Sequence, residues 1–122
     1  MSDVTVTHDL RDGISIIKIK GPLTTETLSN INANSTEIFE DIKNNFSAPG
    51  CIIDCHEVTF IDSTGIGWLN GKHIGMKKRD KTLYIVDTSA YVDKALHAVG
   101  VLKFLNVDTL KNALRALQDK KS

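Results

Sequence analysis

The sequence predicts an α/β domain built on a mixed sheet with parallel central strands. Three observations lead there. Apolar residues make up 41% of the 122 residues, enough to bury a real core and too many for intrinsic disorder. Short β-branched runs alternate with longer stretches whose apolar residues recur near helical spacing. Asp12-Gly13, between the first two runs, is a hairpin signal. The length fits one domain, residues 1–122, and leaves no room for two of ordinary size.

Val4 to His8 reads as a short strand. Ile14, Ile16, Ile17 and Ile19 form a second strand, closed by Gly21-Pro22, and the two make an antiparallel hairpin. Thr24 or Thr25 is placed to cap the next helix, with Glu26 and Thr27 in its first turn. Leu28, Ile31, Ile38, Phe39, Ile42 and Phe46 supply its apolar face, the asparagines at 30, 32 and 34 weaken its middle, and Pro49-Gly50 ends the segment. Cys51-Ile52-Ile53 reads as a buried parallel strand, followed by a loop from His56 to Asp62. A helix is expected from about Ser63 to Arg79, with Ile66, Leu69 and Ile74 on or near its apolar face. Thr82 to Val86 is another buried strand. Ser89 caps a helix holding Val92, Leu96 and Val99, which Gly100 ends. Phe104 to Val107 is a last strand, and Asp108 or Thr109 starts a final helix with Leu110, Ala113, Leu114 and Leu117. The order β-β-α-β-α-β-α-β-α implies about five strands covered by about four helices.

Charge narrows the function classes. Fifteen Lys and Arg face fifteen Asp and Glu, so the formal net charge is zero. A nucleic-acid-binding protein usually shows a basic excess, and a polybasic membrane anchor shows a basic run. The apolar runs are far short of the roughly 20 residues that cross a bilayer, and the N-terminus lacks the pattern of a secretory signal. Cys51 and Cys55 would lie on one face of a strand about 13 Å apart, too far for a disulfide. Two reduced, buried thiols in a cytoplasmic protein is the plain expectation.

Sites in such sheets lie at the carboxyl ends of the parallel strands. Three stretches end there: Gly21 to Thr25, Asp54 to Gly67, and Asp87 to Ala90. The middle one carries Val58-Thr59-Phe60-Ile61-Asp62-Ser63-Thr64-Gly65-Ile66-Gly67. An acidic residue and two hydroxyls arrive where a helix begins, and two glycines allow close approach of another surface. The free N–H groups and positive dipole end of that helix favour an anion. A simple N-cap by Asp62 or Ser63, with no further role, is an equally open reading of these residues.

This segment resembles the signature of STAS domains, the anti-sigma factor antagonist (anti-anti-sigma factor) family: an apolar stretch, Asp-Ser-Ser/Thr-Gly-Leu/Ile-Gly, then an apolar helix. The likeness extends to Gly21-Pro22-Leu23 (Gly-x-Leu), Cys51-Ile52-Ile53-Asp54, Thr82 to Val86, Val99-Gly100-Val101 and Phe104 to Val107, almost the whole chain. The resemblance implies the STAS fold and a non-enzymatic regulator without a cofactor. It implies phosphorylation of Ser63, with Thr64 as a minor alternative, by a GHKL-type serine kinase that is also an anti-sigma factor. Unphosphorylated protein would bind that partner and displace the sigma factor; a PP2C-type phosphatase would reset the phosphorylated form. The partner surface it implies comprises Asp62, Ser63, Thr64, Gly65, Gly67, Trp68, Thr24 and Thr25. Kinase-binding relatives commonly carry Asp directly after Gly-x-Leu; here Thr24 holds that position, followed by Thr25, with Glu26 the nearest carboxylate. STAS domains also act in stress complexes, in biofilm and secretion control, and in anion transporters.

Other features have two readings each. Trp68 is either a partner anchor or core packing. His73 is expected at the core edge, satisfied and not a ligand. Lys72, Lys77, Lys78, Arg79 and Lys81 suit a helix C-terminus, and Lys120-Lys121 reads as a frayed tail. A receiver-like domain phosphorylated on Asp54 at a strand end is a rival, weakened by the lack of a Lys after Thr82 to Val86. An enzyme with Ser63 as nucleophile has no His placed by sequence to activate it.

Overall fold

The computed structural model describes residues 3–100 and 103–121, so Val101 lies outside the described residues. Its elements follow the expected order: β1 (Thr5–Arg11), β2 (Ile14–Leu23), α1 (Leu28–Asn44), β3 (Gly50–Ile61), α2 (Ser63–Lys77), β4 (Thr82–Val86), α3 (Ala90–Val99), β5 (Asn106–Asp108) and α4 (Leu110–Lys121). The strands form one sheet in the order β1-β2-β3-β4-β5. β1 is antiparallel to β2, and every later neighbour is parallel. Asp12 (φ 54°) and Gly13 (φ 80°) turn the hairpin, as Asp-Gly predicts.

Alternation along the strands divides the core. Ile17, Ile19, Cys51, Ile53, Cys55, Leu83 and Ile85 face one side, under Ile31, Phe39 and Ile42 of α1, Ile66, Leu69 and Met76 of α2, and Val92 and Leu96 of α3. Ile14, Ile16, Ile52 and Val86 face the other side, under Ala113 and Leu117 of α4. Buried on both faces, the central strands read as continuous apolar runs.

Several expected boundaries move. β2 runs through Gly21-Pro22 to Leu23 because register shifts against β3 sit on either side of Gly21, and the ladder tolerates a proline at such an irregularity. The 56–62 loop is instead the second half of β3, paired with β2 as far as Ile61; the same shifts break its alternation and hide the strand. α1 begins only after Thr27, whose hydroxyl donates to Pro22 O (2.7 Å) and accepts the Thr24 N–H (3.0 Å), so neither Thr24 nor Thr25 caps it. It runs through its asparagines and ends at Asn44, leaving Phe46 fully exposed beyond it.

α2 stops at Lys77, and Ile74 faces outward. β5 begins two residues late, so Phe104 is exposed; Val99, at the end of α3, is exposed too. Lys120 and Lys121 belong to α4, and Lys120 reaches Thr82 Oγ1, so they are not a frayed tail. Ser89 and Gly100 cap α3 as expected, Gly100 in the left-handed region (φ 70°). Both cysteines are free and buried, and burial pushes their thiols up to about 12. No described helix is long and apolar enough to cross a membrane.

Candidate functional site

The end of β3 delivers Asp62 to the first turn of α2. Asp62 is extended (φ −110°, ψ −177°), and the next residue is already helical, so strand becomes helix at one position. Asp62 N–H bonds weakly to Leu23 O (3.4 Å), which fixes the junction beside the end of β2. The carboxylate is shared between two segments. Oδ1 accepts the Gly65 N–H (2.9 Å), capping α2. Oδ2 accepts the Thr25 N–H (3.0 Å) and lies 3.1 Å from Thr25 Oγ1. The Thr25 hydroxyl also lies 2.8 Å from Thr64 Oγ1. The backbone N–H of Thr25, joined by that of Gly65 and the Thr25 hydroxyl, holds the Asp62 carboxyl below its usual range against an opposing effect of burial.

Ser63 is the first residue of α2 and is exposed, and among the described residues its hydroxyl has no hydrogen-bond partner. Thr64 is exposed but tied to Thr25. Gly65 is buried, and a Cβ there would run into Leu23 O, so this glycine serves internal packing. Gly67 is exposed with open space around it, so no close approach within the molecule requires it.

The structure brings Thr25, Asp62, Ser63 and Thr64 together at the surface. Thr24 is 8% exposed, its N–H bonded inward to Thr27, and it lines the cleft beside Asp62. Trp68 is also buried. Its ring meets Phe39 edge-on at 5.9 Å and its Nε1–H donates to Asn32 Oδ1 (2.8 Å). Of its two readings, core packing is the one realised, because position 68 turns inward one turn after Gly65. Asp54 does not end a strand: it is buried within β3 and accepts the His56 N–H (2.9 Å), which removes the geometry of a strand-end phosphoacceptor. His73 sits at the core edge, but its Nδ1 is buried without a partner among the described residues, so it is not satisfied. Burial, then the nearby Lys77 charge, lowers its pKa.

The basic residues in and after α2 separate. Lys72 lies over the Phe39 and Trp68 rings at 4.9 and 5.5 Å. Arg79 donates to Lys43 O and Asn44 Oδ1 at the end of α1, both at 3.2 Å. Lys81 is buried and donates to Asn45 O and Ala48 O, each at 2.7 Å.

Sequence reading missed two features. One is the pairing of Thr25 with Asp62, 37 residues apart, which only the sheet topology brings together. The other is an exposed aromatic pair, Phe60 and Tyr91, with centroids 5.1 Å apart. Their positions at the carboxyl end of β3 and the start of α3 were the available signal. A cleft beside Asp62 is lined by Phe60, Pro22, Glu26 and Asp3. No group of three His, Cys, Asp or Glu suited to a metal occurs among the described residues.

An open hydroxyl thus stands on a helix start, in a junction braced by one carboxylate, at the carboxyl end of the parallel strands of an α/β fold. The family model for the STAS domain matches residues 6–116, and the chain belongs to that family. Among solved structures it is similar to an anti-sigma factor antagonist from Mycobacterium paratuberculosis, at 22% identity and a TM-score of 0.80, covering 95% of each chain. The unphosphorylated anti-sigma factor antagonist SpoIIAA matches at 17% identity and a TM-score of 0.72, covering 94% of this chain and 97% of that one. The phosphorylated form of Bacillus SpoIIAA matches at 18% identity and a TM-score of 0.62, covering 92% and 98%. No curated protein matches the chain in sequence.

Proposed function

We propose that this chain is a cytoplasmic, non-enzymatic binding module switched by phosphorylation of Ser63. Unphosphorylated, it binds a GHKL-type serine kinase that is also an anti-sigma factor. Phosphorylated, it lets go, and a PP2C-type phosphatase restores it. One observation carries the reading: Ser63 presents an exposed hydroxyl, without a partner among the described residues, at the first turn of α2, while Thr25, Asp62 and Gly65 are bonded together to hold the junction.

In the transfer, Ser63 Oγ bonds to the γ-phosphorus of ATP as the bond to the β–γ bridging oxygen breaks. The hydroxyl proton passes to a base on the kinase, and ADP leaves. The product carries about −1.5 to −2 charges at pH 7. The helix start tolerates that charge, so the fold survives. Asp62 beside it and Glu26 and Asp3 in the adjoining cleft add like charge, and nothing cationic lines that cleft among the described residues. The cost therefore falls on a partner that must desolvate the phosphate.

Incubation with a GHKL-type kinase and ATP, followed by mass-spectrometric mapping, should place the label on Ser63. Ser63→Ala should keep partner binding under phosphorylating conditions and Ser63→Asp should weaken it about tenfold or more. Label absent from both Ser63 and Thr64, or equal affinity of the two variants, would sink the reading. A non-sigma output, in biofilm, secretion or stress-complex signalling, is favoured by one feature. The position after Gly-x-Leu is Thr24, buried, so the carboxylate contact common among kinase-binding relatives is missing.

A further inference from the structure

We infer that Thr25 is the specificity-determining residue that directs phosphorylation to Ser63 and away from Thr64, an inference that rests on the phospho-switch reading above. Two adjacent hydroxyls open α2, and both are exposed. Exposure therefore does not choose between them. Consecutive helical positions point about 100° apart, and their surroundings differ. Ser63 Oγ has no partner among the described residues. Thr64 Oγ1 lies 2.8 Å from Thr25 Oγ1, which in turn lies 3.1 Å from Asp62 Oδ2.

A threonine hydroxyl owns one proton. The Thr25 hydroxyl points it toward Thr64 Oγ1 at 2.8 Å, with the Asp62 carboxylate, which only accepts, the alternative acceptor at 3.1 Å. Either way the Thr64 oxygen is engaged: it accepts the Thr25 proton, or, when that proton turns to Asp62, it donates its own to Thr25. For Thr64 to attack a γ-phosphorus, its oxygen must first leave Thr25. Ser63 breaks no such contact. The Thr25 backbone N–H separately holds Asp62 Oδ2, so the two roles of Thr25 can be pulled apart.

Thr25→Val does this. It keeps the backbone N–H and the β-branched shape and removes only the hydroxyl. Full-length protein, the Thr25→Val and Thr25→Ser variants, and the same pair in a Ser63→Ala background would be incubated with a GHKL-type kinase that labels the wild type. Phosphoserine 63 and phosphothreonine 64 would be quantified by mass spectrometry. In Thr25→Val the ratio of Thr64 to Ser63 label should rise about fivefold, the factor for one lost net hydrogen bond. In the Ser63→Ala background, Thr25→Val should raise the Thr64 rate by a similar factor. Thr25→Ser should restore the wild-type ratio. An unchanged ratio in Thr25→Val, or a Thr25→Ser ratio like that of Val, overturns the inference and leaves the switch standing. Failure of Ser63 itself to take label in the wild type overturns the switch and the inference together.

Discussion

Two charged side chains each fasten a turn of this molecule, at opposite ends of the sheet, and they do it differently. Asp62, at the carboxyl ends of β2 and β3, accepts N–H groups from Thr25 and Gly65. Lys81, just before β4, donates to Asn45 O and Ala48 O beyond the end of α1. Each charge complements the helix end it serves, a carboxylate at the start of α2 and an ammonium after α1. Lys81 is 8% exposed and sealed in, whereas Asp62 is partly exposed beside an open hydroxyl. The buried clasp can only hold the fold. The open one holds the fold and also sets the electrostatic surroundings of Ser63.

The sharpest way to break the comparison is to cut the buried clasp. Lys81→Met should cost about 2–3 kcal/mol, because it strands two carbonyls that had a charged donor. Urea unfolding would measure it; a loss below that of cutting the open clasp would reverse the ranking. Asp62→Ala should cost about 1–2 kcal/mol, the usual range for a lost N-cap, since water reaches the freed N–H groups. This second effect depends on pH. The Asp62 carboxyl is held below its unfolded value, about 3.9. Its contribution is therefore fully present above that value and is lost as pH falls through the folded pKa. The gap between wild type and Asp62→Ala should narrow below about pH 4, and a gap that widens there would contradict the clasp. The smallest effect belongs to Gly67→Ala. With open space around it, the variant should gain up to about 1 kcal/mol from helix propensity, read as a raised urea midpoint.

The Lys81 clasp also shows where sequence reading reached its limit. Element order, the Asp-Gly hairpin, β4 and both caps of α3 were legible, because each depends on neighbours within a few residues. The second half of β3 was not, since its pairing shifts register and destroys the period that announces a strand. At the site, Asp62 and Ser63 were legible from the strand-to-helix pattern and its family likeness. The burial of Trp68 was not, because it depends on Asn32 and Phe39, which approach only after α1 docks. Lys81 read as part of a solvated basic cluster; its two carbonyl partners lie more than 30 residues earlier, a separation that no local pattern encodes.

The division of the core has a consequence for synthesis. Strand order follows chain order, so each new strand meets the current edge of the sheet and never has to insert between earlier ones. The face holding Ile31, Phe39, Ile66 and Val92 can close stepwise as α1, α2 and α3 leave the ribosome. The other face cannot. Ile14, Ile16, Ile52 and Val86 are all made before the helix that covers them, and they stay wet until Ala113 and Leu117 emerge. A nascent or clipped chain lacking α4 would thus carry a four-residue apolar stripe across the middle of its sheet, the kind of surface that chaperones bind and aggregates grow from.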